Sequence, residues 1–340
     1  MKILVTGGAG YIGSHAVREL LRSAHSVVVL DNLSNGHAEA VDPRVELVIG
    51  STSDSSLLHR LLYDNQIEAV MHFAADIEVG ESVIDPFKYY QNNFANSLKL
   101  LKAMVDAQVS KFIFSSTAAV YGNPVSTPIH EDQARHPINP YGRSKMMTEM
   151  AIEDFCVAHG MGYSILRYFN VAGASPDSTI GEDHSPESHL IPRILQAANG
   201  SDMEMKIFGT DYPTKDGTCI RDYVHVVDLV RAHVLAIEAL SARKGKIYNV
   251  GSETGFSVRE VIEACKRVTG RPIKVKEEAR RPGDPAILVA SSQKLRNELK
   301  WEPLYPSIET IVQHAWRWHT SHPHGYKTKL PPEQFLHAAL

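Results

Sequence analysis

The segment Thr6-Gly7-Gly8-Ala9-Gly10-Tyr11-Ile12-Gly13 lies between a short apolar run and a longer amphipathic run near the start of the chain. Three of its glycines, Gly7, Gly10 and Gly13, are spaced three residues apart. A strand, a tight turn and a helix joined in this way let the backbone approach a pyrophosphate, and the free N–H groups at the start of the helix face its negative charge. The segment therefore predicts a dinucleotide-binding loop at the first crossover of a parallel sheet.

Short apolar runs alternate with longer helical patterns through the first half of the chain. The predicted strands are Lys2–Thr6, Val27–Leu30, Val45–Ile49, Ala69–His72, Phe112–Ser115 and Ser164–Arg167. The predicted helices are Tyr11–Arg22, Ser53–Asp64, Pro86–Ala107 and Tyr141–His159. This alternation indicates βαβ units, so we predict an α/β protein with a Rossmann-type doubly wound parallel sheet.

Loop-forming residues are more frequent in the second half, and a strand pattern returns at Lys246–Gly251. We predict a dinucleotide-binding domain over residues 1–172, which residues 222–251 rejoin. A smaller C-terminal substrate-binding lobe is predicted over residues 173–330. Residues 331–340 are predicted to form a peripheral tail.

The 340 residues carry a formal net charge of -4 and include three cysteines without a Cys-x-x-Cys pair. This charge balance gives no reason to expect nucleic acid as a partner, and no apolar run is long enough to predict a membrane span. The cysteine usage suits a reducing compartment, so we predict a cytoplasmic protein. His314, His319, His322 and His324 come without a supporting pattern of acids or cysteines, and we predict a surface cluster and no metal site.

An acidic residue, Asp31, ends the strand that follows the glycine loop. It lies in the range of about 20 residues beyond the loop where an acid binds the adenine ribose 2′-hydroxyl of a dinucleotide. A carboxylate there would repel the 2′-phosphate of NADP. NAD is therefore the predicted cofactor.

Tyr141 and Lys145 are four residues apart at the start of a predicted helix, so they share one face. Thr117 follows a predicted strand, at the sheet edge where open α/β sheets bind ligands. Free tyrosine has a pKa of about 10, and a base near neutral pH needs a decrease of about 3 units, or about 4 kcal/mol. An ammonium at about 5 Å supplies roughly 3 kcal/mol with an effective dielectric constant of about 20. We predict Tyr141 as the base for a sugar hydroxyl, Lys145 as its charged partner and Thr117 as a hydrogen-bonding group.

Longer stretches extend these short motifs along nearly the whole chain, from Lys2 to about Gly325. They are Thr6–His15, Asp31-Asn32, His72-Phe73-Ala74, Val79-Gly80-Glu81-Ser82, Tyr121-Gly122, Tyr141–Lys145, Leu166-Arg167-Tyr168-Phe169-Asn170, Ile207-Phe208-Gly209, Asp211-Tyr212, Asp216-Gly217-Thr218 and Arg221-Asp222-Tyr223-Val224-His225. The glycine loop and the Tyr/Lys pair resemble the extended short-chain dehydrogenase/reductase superfamily. The full set resembles the UDP-glucose 4-epimerase (UDP-galactose 4-epimerase) family.

The resemblance implies an isomerase that inverts C4 of a UDP-sugar and works as a homodimer. Tyr141 would remove the proton of the 4-hydroxyl while C4 passes a hydride to bound NAD, the 4-keto sugar would turn over, and both transfers would reverse. The implied cofactor contacts are Gly7, Gly10, Tyr11, Ile12, Gly13, Asp31, Asn32, Ser51, Phe73, Ala74, Ala75, Asn92, Ser115, Tyr141, Lys145 and Tyr168. The implied substrate contacts are Thr117, Tyr141, Asn170, His189, Leu190, Lys206, Phe208, Arg221, Arg281, Asp284 and Leu288.

Four positions depart from the best-known family pattern. Thr117 stands where serine is common, Ser51 where an aspartate often contacts adenine, and Ile77 where some members carry a lysine near the nicotinamide. Leu288 falls at the position that tends to limit sugar size, where tyrosine favours hexoses and small residues admit N-acetylhexosamines. We expect UDP-glucose and UDP-galactose as the main pair, with side activity on UDP-N-acetylhexosamines.

Other functions on this scaffold remain alternatives. A nucleotide-sugar dehydratase shares the Tyr/Lys pair but carries an Asp-Glu pair after its threonine, where this chain has Ala118-Ala119. A decarboxylase, and epimerases for N-acetylhexosamines or pentoses, are excluded less firmly. A non-catalytic NAD-sensing protein typically lacks the Tyr/Lys pair, and an ordinary dehydrogenase would release NADH.

Overall fold

The computed structural model describes residues 1–200, 204–281 and 284–326. Its strands are β1 (Lys2–Thr6), β2 (Ser26–Asp31), β3 (Glu46–Ile49), β4 (Ala69–His72), β5 (Lys111–Ser115), β6 (Gly162–Tyr168), β7 (Asn170–Ala172), β8 (Met205–Phe208), β9 (Ile220–Arg221), β10 (Tyr223–His225), β11 (Gly245–Val250), β12 (Phe256–Ser257), β13 (Val275–Glu278) and β14 (Ile287–Leu288). Its helices are α1 (Tyr11–Arg22), α2 (Ser55–Asp64), α3 (Val79–Ile84), α4 (Pro86–Tyr89), α5 (Asn96–Asp106), α6 (Pro140–His159), α7 (Leu190–Ala198), α8 (Val226–Ala239), α9 (Val258–Thr269), α10 (Gln293–Leu299) and α11 (Ile308–Ser321).

A seven-stranded parallel sheet forms the centre of the molecule, with strand order β11-β6-β5-β4-β1-β2-β3. The order runs outward in both directions from β1, which places helices on both faces. The predicted Rossmann-type doubly wound sheet is therefore confirmed.

Successive side chains of β1 point to opposite faces of the sheet, and both faces are covered by helices. Ile3 and Val5 point into an apolar cluster that includes side chains of α1 and α8. Leu4 points into a second cluster, with side chains of α2, α5 and α6. All three side chains are fully buried, as expected for a central parallel strand.

The predicted helix Pro86–Ala107 is interrupted in the structure. A π-helical segment, Tyr90–Ala95, separates α4 from α5. Within it the Asn93 side chain exchanges hydrogen bonds with the Asp76 backbone, at 2.8 and 2.9 Å, and donates to Ser144 Oγ at 3.2 Å. One regular helix is thus a wrong prediction here. The wider i→i+5 turn coincides with polar contacts to the start of α6, and such turns are frequent at functional sites.

The second half of the chain adds small sheets of two or three short strands beside the main sheet. β8 pairs with β13, β9 lies between β12 and β14, and β7 pairs with β10. Their apolar core includes Ile191, Leu195, Ile262 and Val312. β11 returns to the main sheet beside β6. The domain boundaries stay a prediction, and the predicted tail lies outside the described residues.

In the described ranges, none of the helices combines the length and apolarity needed to cross a bilayer.

Candidate functional site

Gly7 and Gly13 occupy positions that leave no room for a side chain. Gly7 has a φ of +74°, and a Cβ there would lie 2.5 Å from the backbone nitrogen of Ala74, just after β4. A Cβ on Gly13 would lie 2.0 Å from the Gly7 carbonyl oxygen. The loop backbone therefore contacts both its own helix and the neighbouring strand, which explains these glycines without reference to a ligand.

The N-terminus of α1 has the properties of an anion site. Gly10 is the N-cap and offers no side-chain acceptor, so the N–H groups of the first turn point outward. A Cβ on Gly10 would approach only the Gly7 carbonyl, at 3.4 Å, so this side of the turn is open. The loop fits the pyrophosphate of a dinucleotide.

Asp31 organises the glycine loop from the end of β2. Its carboxylate accepts hydrogen bonds from the N–H groups of Ala9 and Leu33, both at 2.9 Å. Burial raises the pKa of Asp31, while these two N–H groups oppose the increase. Each carboxylate oxygen has a further acceptor site, so the same side chain can accept from a ribose hydroxyl.

The first residues of helix α6 carry two helix start signals. Asn139 is the N-cap and accepts a hydrogen bond from the Gly142 N–H at 2.8 Å, and Pro140 occupies the first helical position. Tyr141 and Lys145 follow in the first two turns. This local chemistry fixes where the pair begins relative to the sheet.

Lys145 is buried against the carboxyl end of β5. Its Nζ donates to the Ser115 carbonyl at 3.0 Å and lies 4.9 Å from the centroid of the Phe114 ring. Burial lowers the pKa of Lys145 to about 8, although the charges of Glu149 and Asp76 act in the opposite direction. The ammonium form therefore predominates at neutral pH.

Burial raises the pKa of Tyr141 to about 12, and a hydrogen bond with the Thr117 hydroxyl only partly offsets this. The spacing of Tyr141 and Lys145 predicts a lowered pKa for Tyr141, and the protein without cofactor shows the opposite direction. The reason is that desolvation of the phenolate outweighs the favourable contacts. Thr117 Oγ1 accepts from the Ala119 N–H at 3.1 Å, so its own proton can be donated.

A buried ion pair holds α6 against β5 and β6. Glu149, one turn beyond Lys145, receives two hydrogen bonds from the Arg167 guanidinium, at 2.6 and 3.0 Å, and a third from Ser116 Oγ at 2.6 Å. Tyr121 is a further partner of Arg167, at 2.8 Å. Breaking such a pair typically costs about 3–5 kcal/mol, so the position of α6 is firmly fixed.

In the second lobe, the Arg281 guanidinium lies 3.9 Å from the centroid of the Phe208 ring. This contact offers a flat, cationic surface. Arg221 on β9 forms an ion pair with Asp284 and is in register with Leu288 on β14. The structure thus brings Phe208 and Arg281 together, and separately Arg221, Asp284 and Leu288.

Residues 3–251 match the model of the NAD dependent epimerase/dehydratase family. The chain belongs to that family. Membership confirms NAD as the predicted cofactor.

Relatives of the chain within this family are similar over nearly its full length. A UDP-glucose 4-epimerase of Halalkalibacterium halodurans is 52% identical and covers 98% of this chain and 100% of its own. The solved UDP-glucose 4-epimerase of Bifidobacterium longum, in complex with NAD+ and UDP, has a TM-score of 0.91 at 38% identity and covers 96% and 100%. The UDP-Glc/GlcNAc 4-epimerase of Campylobacter jejuni has a TM-score of 0.84 at 44% identity and covers 94% and 99%.

Several family positions predicted for the cofactor already have partners within the protein. Tyr11 donates its hydroxyl proton to the Gly173 carbonyl at 2.7 Å, and Ser115 is hydrogen-bonded to Tyr168. Asn92 donates to Asp76 at 2.9 Å. The remaining predicted cofactor positions, Ile12, Asn32, Ser51, Phe73, Ala74 and Ala75, lie on α1 or directly after β2, β3 and β4.

Three predicted substrate contacts take part in structural interactions. Asn170 Nδ2 donates to the Asp222 carbonyl at 2.9 Å, which links β7 to β10. Lys206 lies 3.6 Å from Glu278. His189, the residue before Leu190 at the start of α7, is 3.0 Å from Glu187. The assignment of these positions to substrate stays a prediction.

Sequence reasoning missed how two groups of side chains assemble. Arg167 belongs to one of the sequence motifs, but its pairing with Glu149 has no signal in sequence spacing. The second group is Glu182, His184, Glu187 and His189. The signal that could have found it is the compact Glu-x-His-x-x-Glu-x-His spacing of the sequence.

The prediction that the C-terminal histidines form a surface cluster is wrong for His314. This side chain is buried and lies 3.0 Å from His225 Nε2, because α11 packs against β10 at this point. His319, His322 and His324 instead line a surface cavity beside Glu182.

Proposed function

We propose that the protein reversibly epimerises UDP-glucose and UDP-galactose at C4. The observation that carries the proposal is the pair Tyr141 and Lys145 on one face of α6, with Lys145 buried, Tyr141 half-buried and the buried Thr117 hydroxyl beside Tyr141. The pair lies at the carboxyl edge of the sheet, on the same side as the glycine loop. The full-length similarity to UDP-glucose 4-epimerases supports the same conclusion.

In this proposal Tyr141 takes the proton from the sugar 4-hydroxyl and returns it after the sugar has turned over. NAD, when bound, supplies the oxidising and reducing power for C4, and its positive ring favours the phenolate. Lys145 holds its positive charge near the phenolate because the Ser115 carbonyl fixes its Nζ. Thr117 donates to the reacting oxygen, since the Ala119 N–H occupies one of its two acceptor lone pairs and leaves its hydroxyl proton to donate.

The diphosphate and base of the substrate are assigned to the second lobe. A guanidinium matches phosphate oxygens in charge and geometry, which supports Arg221 and Arg281 as anion contacts. Phe208 stacks on Arg281 and so offers a flat surface to a pyrimidine. Elimination of water is not supported, because Ala118 and Ala119 stand where a dehydratase carries two acids.

Leu288 favours some turnover of UDP-N-acetylhexosamines as a side activity. Its strand, β14, lies directly beside Arg221, so a smaller side chain than tyrosine there enlarges the space next to a proposed phosphate contact. A homodimer and a cytoplasmic location are part of the proposal as well. Light scattering of the purified chain tests the first, and fluorescence microscopy of a tagged chain tests the second.

Tyr141→Phe tests the central claim. We expect turnover of UDP-galactose to fall about 10²- to 10⁴-fold, the usual contribution of a positioned acid or base. Binding of NAD, followed by fluorescence, is expected to persist. Tyr63→Phe is the matched control, because Tyr63 is 77% exposed and far from the sheet edge.

Full interconversion by a folded, NAD-bound Tyr141→Phe protein contradicts the proposal. Loss of water or carbon dioxide from the sugar, or a net absorbance change of the cofactor, contradicts epimerisation specifically. Parallel assays with UDP-N-acetylglucosamine and UDP-pentoses decide the sugar range.

A further inference from the structure

Two carboxylates and two imidazoles meet in the loop before α7. Glu182 and Glu187 are almost fully enclosed, with 4% and 5% of their side chains exposed. His184 and His189 face them with their Nδ1 atoms. One ligand atom from each of the four residues lies within 4.8 Å of all the others.

The distances between these atoms suit one small cation. His184 Nδ1 lies 3.2 Å from Glu182 and 3.7 Å from Glu187, and His189 Nδ1 lies 3.0 Å from each. A tetrahedral zinc ion has ligands at about 2.0–2.2 Å, so its ligand atoms are about 3.3–3.5 Å apart. The observed N···O distances bracket this value.

Hydrogen bonding alone leaves the cluster incompletely satisfied. His184 Nδ1 is buried and has no hydrogen-bond partner among the residues that the structure describes. The single Nδ1 of His189 lies between two carboxylates, and its one proton cannot serve both well. A cation at the centre would engage all four side chains.

Charge balance points in the same direction. Two buried carboxylates need two positive charges nearby. Without a metal, the two imidazoles are the groups that face these carboxylates, each with its Nδ1 atom within 3.7 Å of a carboxylate oxygen, and both would have to be protonated to balance the charge. One divalent cation can replace the two imidazole protons and leave the cluster neutral.

The surrounding structure holds the ligands in place. Trp318 Nε1 donates to the Glu182 carbonyl at 3.1 Å, and His37 Nε2 contacts the Asp183 carbonyl at 3.1 Å. The cluster also borders a surface cavity that gives an ion a route inward. Imidazole together with carboxylate suits zinc better than magnesium or calcium, which prefer oxygen ligands alone.

We propose that Glu182, His184, Glu187 and His189 bind one structural zinc ion that fixes the loop before α7. The ion joins the two ends of the Glu182–His189 segment. The Tyr11 ring lies 6.4 Å from the His184 ring, so the site connects this loop to the first residue of α1. The prediction of no metal site is thereby revised, at residues other than the C-terminal histidines first considered.

The test uses the full chain with any affinity tag removed. Zinc is measured by mass spectrometry after growth in zinc-supplemented medium, and affinity is measured by competition with a chromophoric chelator. We expect one zinc per chain, a rise in Tm when zinc is returned to chelated protein, and the visible spectrum of tetrahedral Co²⁺ on cobalt substitution.

His184→Asn and Glu187→Gln each remove one ligand. Each is expected to weaken zinc binding by more than about 100-fold, since even outer-shell changes cost about 10- to 100-fold. His130→Asn is the matched control, because His130 is exposed and lies far along the chain. Zinc below one equivalent, or zinc retained in both ligand variants, overturns the proposal. If His184→Asn does not fold, the cobalt spectrum of the wild type and the Glu187→Gln variant decide. None of these readouts depends on the sugar reaction.

Discussion

Two sets of enclosed histidines in this protein have pKa values that are shifted in opposite directions. Around the central sheet, burial lowers the pKa of His15 and His233 to about 4, of His72 to about 3 and of His225 to about 2. In the loop before α7, the pKa values of His184 and His189 are raised to about 9 and about 11.

The partners of each ring explain the difference. His72 lies between two hydroxyls, with Thr6 Oγ1 at 2.6 Å from Nδ1 and Ser97 Oγ at 3.0 Å from Nε2. Ser97 donates its proton to the Asn93 carbonyl, so it accepts from His72 and the neutral ring is fully satisfied. His184 and His189 face carboxylates instead. Neutral partners fix a neutral ring, whereas buried carboxylates demand a positive charge, which a proton or a metal ion can supply.

Acidification is expected to change the unfolding free energy more than either of the substitutions described below. A base whose pKa is lowered by folding stabilises the protein above its unfolded pKa, near 6.5, and loses that contribution as the pH falls. Between pH 7 and 5 each of the four core histidines costs about 2 kcal/mol of unfolding free energy.

Three groups offset part of this loss in chelated protein. The pKa of Asp222 is raised to about 6, chiefly by burial, so it takes up a proton in the folded state. His184 and His189 already hold theirs. Between pH 7 and 5 each of these three groups adds about 1 kcal/mol to the unfolding free energy. The expected net loss of unfolding free energy is therefore about 4–5 kcal/mol. Urea denaturation of chelated protein at a series of pH values measures this, and a flat profile contradicts the neutral state of the core rings.

Glu182→Gln removes one of the two charges that raise the histidine pKa values. In chelated protein we expect a loss of about 3 kcal/mol of unfolding free energy at pH 7, at the lower end of the cost of breaking a buried pair. Glu153→Gln is the control, because its ion pair with Arg135 is a third exposed and is worth less than about 1 kcal/mol. Equal losses of unfolding free energy in the two variants would contradict a strong buried ion pair between Glu182 and the two histidines.

His233→Leu gives the smallest change at neutral pH. His233 Nε2 is buried without a hydrogen-bond partner in the described part of the chain. Replacing the ring by leucine is therefore expected to lower the unfolding free energy by about 1 kcal/mol or less at pH 7.5. The variant should also lose about 2 kcal/mol less than the wild type between pH 7.5 and 5, since one titrating ring is gone. Urea denaturation at these two pH values measures both quantities, and an unchanged difference between them contradicts a neutral His233.

Much of the site was predictable because its signals are local. The glycine spacing around Gly10, the acid at Asp31 and the four-residue separation of Tyr141 and Lys145 are consequences of one turn, one strand end and one helix face. The interruption of the helix at Tyr90–Ala95 was not predictable, because the cause is contact with residues far along the chain.

The sequence by itself determined most of the order of strands and helices in the first half of the chain and the strand–turn–helix crossover at the glycine loop, and it predicted Tyr141 and Lys145 as the reacting pair, since periodicity and spacing act over a few residues. Only the tertiary structure decided which charges are buried together. Glu149 meets Arg167, and Glu182 meets His184, through packing and desolvation. These effects depend on the whole enclosed volume and set the pKa of Tyr141 higher than spacing alone suggested.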